Sequence, residues 1–189
     1  MKGILDMKVV AIGGSPRLKG NTNYLIDQAF KELASHGIKT EKIVLNEYKI
    51  GFCQGHDECA SFAECKQKDD IPWIMEKFRQ ADGVILASPV YCYSFTAQMK
   101  TFLDRTYFAY THNLPMKARC AGLIAIAGGD GLEPTLKALK GLLGFSNNMK
   151  VFTVSGYASS IGDAQQNPAL IKQATNMGKQ MAEVLTGQG

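Results

Sequence analysis

A chain of 189 residues, 46% hydrophobic and 20% charged, has room for one domain with an ample core, and that balance is not the balance of a disordered protein. The net charge of +4 carries no basic block and no interleaved aromatic stripe, which argues against nucleic acid as a partner yet would not repel a phosphorylated small molecule. The opening MKGILDMKVV has no signal-peptide pattern and no apolar run approaches membrane-spanning length, so the expected setting is the cytoplasm, with no membrane partner, and five irregularly spaced cysteines suit reduced thiols or a redox role better than a disulfide framework.

In chain order, residues 9–12 form a continuous apolar run of the kind a central parallel strand needs. Gly13 and Gly14 mark a turn, and Asn21, Thr22 and Asn23 are helix-capping types ahead of a helical pattern that places Tyr24, Leu25, Ala29, Phe30 and Leu33 on one face, with Gly37 as the stop. Residues 38–45 read as the second strand. Residues 46–68 have no clean period and carry Cys53, Cys59 and Cys65, so they form a long excursion, which in a compact domain is usually functional. Asp69 and Asp70, with Pro72 in the first turn, open a helix to about residue 80, and ADGVILAS over 81–88 is the third strand. PVYCY then leaves the strand, Ser94 begins a helix reaching about Tyr107, and 108–117 is an aromatic loop. A fourth strand over 120–127 runs into the glycine turn 128–131, followed by a helix from Glu133 to about Leu143, a strand over 149–155, a glycine-containing loop and a closing helix over 168–185. Five strands alternating with five helices, with no repeat and no linker, predict a single α/β domain over 1–189 built on a doubly wound parallel sheet, whose ligands sit beyond the carboxyl ends of the strands.

The turn after the first strand is the best candidate site. Glycine allows close backbone approach, the helix behind it presents N–H groups and the positive end of its dipole, and Ser15, Thr22, the Asn21 and Asn23 side chains and the fork-shaped cation Arg17 suit a phosphate monoester. The loop is not GxxxxGK[ST], which argues against a P-loop NTPase, and it is not GxGxxG with an acidic ribose reader, which weakens a dinucleotide site.

GSPRxxGNT near the start, DD before a helix, ADGVILASPVY, KTFLDR, the glycine pair after the fourth strand and the closing GDAQQNPALIKQA together resemble the NADPH-dependent FMN reductase and iron-sulfur flavoprotein group of flavodoxin-like proteins, over nearly the whole chain. The resemblance implies strand order 2-1-3-4-5 with helices on both faces. It implies FMN, with its phosphate on Ser15, Arg17, Asn21, Thr22 and Asn23, and its ring along Pro89, Val90, Tyr91 and Tyr93, with Ser94 close by, against the turn of Ala127, Gly128 and Gly129. Core or interface packing is the alternative for Tyr91 and Tyr93. The implied activity is hydride transfer from NADPH or NADH to the flavin and on to a small-molecule acceptor such as a flavin or quinone, with no catalytic acid or base required of the protein. The alternative is a noncatalytic flavodoxin-type electron carrier, although such carriers tend to be acidic.

Iron-sulfur members of the group carry a compact cysteine motif in the excursion. Here His56 stands where a second cysteine would, leaving three thiols where a cluster takes four, so the resemblance is to a member lacking the cluster. Zinc is disfavoured by five-residue gaps between the cysteines, and the expected metal set is none. Asp104 and Arg105 read as structural ion-pair residues, Asp69 and Asp70 as helix N-terminal charges, His36 and His112 as lone histidines, and Trp73 as packing. By analogy a homodimer or homotetramer is expected, with Tyr107, Phe108 and Tyr110 as the contact that helps wall the ring.

Overall fold

The computed structural model describes residues 6–141, 143 and 149–187. Its elements run β1 (Lys8–Gly13), α1 (Asn21–Ser35), β2 (Lys39–Val44), α2 (Ile71–Gln80), β3 (Gly83–Tyr91), β4 (Ser94–Phe95), α3 (Ala97–Arg105), α4 (Tyr107–Thr111), β5 (Cys120–Ala127), α5 (Leu132–Gly141), β6 (Lys150–Tyr157) and α6 (Pro168–Thr186). The five long strands are parallel in the order β2-β1-β3-β5-β6, and the two-residue β4 pairs antiparallel with the end of β3. With β4 set aside, the order is 2-1-3-4-5 and the fold is the expected flavodoxin-like, doubly wound one.

Alternation along the strands assigns the two faces. Val9 and Ala11 of β1, Ile85 of β3 and Ile124 of β5 pack against Leu25, Ile26 and Leu33 of α1 and Met177 and Met181 of α6. Val10, Ile12, Val84, Leu86 and Leu123 point the other way, against Ile74 and Phe78 of α2, Met99 and Phe102 of α3 and Leu139 of α5. Helices α1 and α6 are pressed together at Gly178, where a Cβ would fall 2.5 Å from the Ala29 carbonyl oxygen.

Several boundaries differ from the sequence reading. β3 runs on through Pro89 to Tyr91, because Pro89 lies past the last residue paired with β1, which is Ala87, and its missing N–H leaves no gap in that ladder. Ser94 lies in β4 and not in a helix. Helix α3 starts at Ala97, where the Thr96 side chain accepts from the Met99 N–H, and the expected aromatic loop contains helix α4. Asn21, Thr22 and Asn23 are the first turn of α1, with Gly20 as its N-cap. The expected end of α5 near Leu143 passes through residue 142, outside the described residues. Among the described residues no helix is long and apolar enough to cross a membrane.

Candidate functional site

Helix α1 starts uncapped. Its N-cap Gly20 has no side chain to accept from the first turn, and that turn carries no acidic residue, so its leading N–H groups and the positive end of a 15-residue helix are left open beside the β1 loop. The loop is folded tightly: the Gly20 N–H donates to the Arg17 carbonyl at 2.9 Å, and the Arg17 N–H donates to the buried Ser15 hydroxyl at 3.2 Å. Among the described residues, the exposed Arg17 guanidinium and the hydroxyl of Thr22, which is not itself sealed from solvent, have no hydrogen-bond partner. A loop that offers a cation, a hydroxyl and unclaimed N–H groups, with no carboxylate in the helix's first turn, fits the phosphate of FMN.

Two of the expected phosphate residues have other work to do. The Asn21 amide donates to the carbonyls of Ala158 and Ser160 (3.3 and 2.7 Å) and accepts from the N–H groups of Gly162 and Ala164 (both 3.2 Å), tying the loop after β6 to the start of α1. Asn23 is buried and donates to the carbonyls of Arg17 and Leu18, both at 3.1 Å. Both side chains shape the anion loop, so what they can still offer a phosphate is their backbone N–H.

The expected ring residues lie on the same edge of the sheet. Pro89 and Val90 are half-buried near the end of β3, and Tyr91 faces Ser94 across the hairpin. The tip residues Cys92 and Tyr93 have φ of 48° and 63°, the left-handed values that a two-residue hairpin of mirrored type I geometry requires and that Asn-Gly usually supplies. Holding non-glycine residues there costs about 1–2 kcal/mol each, and it sets the Tyr93 ring outward, 67% exposed. Gly131, at φ 89°, brings the turn after β5 onto the hairpin: a Cβ there would meet the Tyr93 Cα at 2.8 Å. Ala127 ends β5 buried, whereas Gly128 and Gly129 are exposed, and the Gly128 carbonyl accepts from the Ser159 hydroxyl at 2.8 Å.

A buried polar relay joins the two halves of the edge, and sequence reasoning missed it. The Thr96 hydroxyl donates to the Gly14 carbonyl at 2.6 Å, the Thr96 N–H donates to the Ser88 hydroxyl at 3.0 Å, and the Ser88 hydroxyl donates to the Pro89 carbonyl at 2.8 Å. Gly14 is indispensable to it, since a Cβ would sit 2.9 Å from that of Met99. The signal was available: a threonine just ahead of a helical pattern is an ordinary N-cap. The loop 158–164 was missed too, and its engagement by Asn21 has no local pattern.

The excursion is stitched to the domain by a buried ion pair. Asp69 and Arg105, 4% and 2% exposed, meet through Nη1 and Nη2 of the guanidinium at 2.5 and 3.1 Å, and Arg105 also donates to the Gly51 carbonyl at 2.8 Å and faces the Cys65 sulfur at 3.3 Å. Burial alone would raise the Asp69 carboxyl, but the Arg105 guanidinium and the N–H groups of Gly51 and Ile71 outweigh it and hold the carboxyl below its ordinary range. Neither expected lone histidine stands alone. His36 pairs with Glu32 at 3.2 Å, and His112 of the α4 end reaches the Phe62 and Phe108 carbonyls, both at 2.8 Å.

Cys53, Cys59 and Cys65 do not converge, and among the described residues no three His, Cys, Asp or Glu side chains form a metal-holding group. With Cys65 against Arg105 and the His56 ring edge-on to Phe62, this donor set does not fit a four-thiolate cluster. Cys120 is buried between β5 and α6, where burial pushes its thiol up to about 12. The aromatic contact expected to wall the ring proves to be α4. Tyr107 and Tyr110 of this helix are exposed, as a contact with a neighbouring subunit requires.

Comparison with known proteins bears on this geometry. The family described as NADPH-dependent FMN reductase matches residues 7–166. An iron-sulfur flavoprotein of Archaeoglobus fulgidus is 37% identical over 182 residues, covering 94% of this chain and 80% of that protein. An iron-sulfur flavoprotein of Methanocaldococcus jannaschii is 31% identical, covering 95% of this chain and 97% of that one. Among solved structures, the NAD(P)H:quinone oxidoreductase from Methanothermobacter marburgensis superposes with a TM-score of 0.72 at 16% identity, over 93% of this chain and 96% of that chain, a likeness of fold.

Proposed function

The chain belongs to the NADPH-dependent FMN reductase family, and from that premise we propose that it binds FMN across the β1, β3 and β5 loops and works as an NAD(P)H-dependent oxidoreductase on a small-molecule acceptor. The observation that carries the reading is the open start of α1 set on one edge with an exposed aromatic hairpin and a bare glycine turn. The α1 N–H groups, Arg17, Thr22 and Ser15 hold the phosphate. Pro89, Val90 and Tyr91 offer the flat ring an apolar wall, and Gly128 and Gly129 let backbone N–H groups approach its polar edge. Bound FMN supplies hydride acceptance from NADPH or NADH and delivery to a flavin, quinone or similar acceptor. The protein binds, orients and shields, and no side chain is assigned a proton to move.

Leu18, Tyr91, Tyr93, Tyr157 and Ile161, all exposed on loops or strand ends at this edge, form an apolar rim, which supports a homodimer or homotetramer that covers it. Five unpaired thiols suit the cytoplasm.

The test is an absorption spectrum of the purified protein, taken anaerobically before and after NADPH. Flavin bands that bleach on addition support the reading. A broad extra shoulder would bring back the cluster that the donor set disfavours. Flavin that stays oxidised with both NADPH and NADH points to an electron carrier, and no colour even after soaking in FMN overturns the proposal.

A further inference from the structure

The two proposed halves of the FMN site, the phosphate loop after β1 and the ring wall at the end of β3, are joined by buried side chains as well as by the sheet. Gly14, where the phosphate loop leaves β1, is held from two sides. Its N–H donates to the Ala87 carbonyl of β3 at 2.8 Å, and its carbonyl accepts from the hydroxyl of Thr96, 82 residues further along the chain, at 2.6 Å. From Thr96 the connection runs on through its N–H to the Ser88 hydroxyl at 3.0 Å, and from there to the carbonyl of Pro89, where the ring wall begins. Ser88 and Thr96 are 0% and 1% exposed, so no water stands ready to replace either hydroxyl.

Thr96 has a second task as the N-cap of α3, where its Oγ1 accepts from the Met99 N–H at 3.3 Å. That task needs only an acceptor, and Asp would serve it as well. What the hydroxyl adds is a proton to donate, and it is directed to Gly14. A carboxylate in its place would set lone pairs against the carbonyl oxygen. Space is closed at the same point: a Cβ on Gly14 would stand 3.0 Å from the Thr96 Oγ1 and 2.9 Å from the Met99 Cβ, which leaves the loop no room to shift toward α3.

We propose that Thr96 is a positioning residue that sets the span between the phosphate and ring halves of the site, and so makes the chain selective for FMN over flavins that lack the phosphate; this rests on the FMN reading above. FMN is a two-ended ligand. Binding one end makes binding of the other intramolecular, and the gain depends on the two halves standing at the distance that the ribityl chain covers. The Thr96 hydroxyl and N–H are both taken up within the protein, so it acts on one end through Gly14 and on the other through Ser88 and Pro89.

Three titrations of the flavin-free full chain test this: FMN, lumiflavin, which has the ring alone, and FMN against inorganic phosphate, which reports the phosphate half alone. Thr96→Val should lower FMN affinity about tenfold while the lumiflavin and phosphate constants stay at their wild-type values. Thr96→Ser, which keeps the hydroxyl, should restore FMN. Ser88→Ala cuts the other link and should lower FMN affinity about fivefold with the same split, which keeps the test available if Thr96→Val does not fold. Lumiflavin weakening in step with FMN would show that Thr96 only maintains the hairpin, and phosphate weakening in step would show that it only maintains the loop; either overturns the proposal, as does FMN affinity unchanged in Thr96→Val. Wild-type protein that takes up neither flavin overturns the FMN reading itself, and the role of Thr96 falls with it.

Discussion

Helices α1 and α6 pack side by side on one face of the sheet and begin in opposite ways. α6 closes its own start: the Asn167 side chain accepts from the N–H groups of Ala169 and Leu170 at 3.1 and 3.2 Å, and Pro168 at the first position has no N–H to satisfy. α3 does likewise with Thr96. α1 begins on Gly20 and closes nothing, although Asn21 sits one residue later with the same amide that Asn167 uses. A helix that needs only stability is capped by its own sequence. One left open next to a free arginine is available to something the chain does not itself contain, and with glycine at the N-cap the forgone cap costs only about a few tenths of a kcal/mol.

The start of α2 is a third arrangement and the one whose loss should cost most. Asp69 accepts from the Ile71 N–H at 3.2 Å and holds Arg105, so one carboxylate both closes a helix and anchors the excursion. Asp69→Asn leaves a buried guanidinium without its counter-charge, and urea unfolding at pH 7 should show a loss of about 3 kcal/mol. The carboxyl is held low in the folded state, so its contribution is fully present above the ordinary Asp value of about 3.9 and is lost as the pH falls through the lower folded value. Wild type and variant should therefore differ by a constant amount between pH 7 and 5, and the gap should begin to narrow as the pH falls below the ordinary Asp value. A gap that stays constant as the pH falls below that value would show that Asp69 acts by packing and not by charge.

The comparison of α1 with α6 breaks most directly at Gly20. Its backbone is extended, with φ −77°, so a side chain is allowed there, although a Cβ would press on Arg17 at 3.0 to 3.1 Å. Gly20→Asp gives α1 the cap that α6 has and puts a negative charge where the phosphate is proposed to lie. Titration of the apoprotein with FMN, followed by quenching of flavin fluorescence, should show affinity down by about a hundredfold. An affinity close to wild type would mean that the open helix start serves no anion. Arg17→Ala and Thr22→Ala sharpen the same point with smaller effects, about tenfold each, and should leave the unfolding curve of the apoprotein unchanged. If either apoprotein takes up FMN as tightly as wild type, the phosphate lies elsewhere.

Sequence reasoning reached as far as local chemistry reaches. The central strands β1, β3 and β5 were legible because continuous apolar runs such as VVAI and GLIAIA suit a sheet buried on both faces, and the glycine turn after β1 was legible because its donors stand within eight residues of one another. The bracing roles of Asn21 and Asn23 were not. An asparagine near a helix start looks the same whether it meets an anion or a distant loop, and the carbonyls that Asn21 braces are 137 and 139 residues away in the chain. Pro89 misled for a related reason: proline breaks a strand only where its N–H is needed, and that depends on how far the neighbouring strand extends.

The smallest of these effects is the most specific control on the comparison. Asn167→Ala removes the α6 cap and returns two N–H groups to water, which should cost about 1 kcal/mol in urea unfolding. α6 packs along α1, and Asn167 is joined by its backbone N–H to Ala164, whose own N–H donates to Asn21. A disturbance at Asn167 therefore has a direct path to the α1 start. If helix starts on this face are capped for stability alone, FMN affinity in Asn167→Ala stays at the wild-type value while stability falls. A parallel fall in FMN affinity would show that the loop 158–164 transmits strain to the anion site, and the contrast between a structural and an open helix start would then give way to one coupled unit.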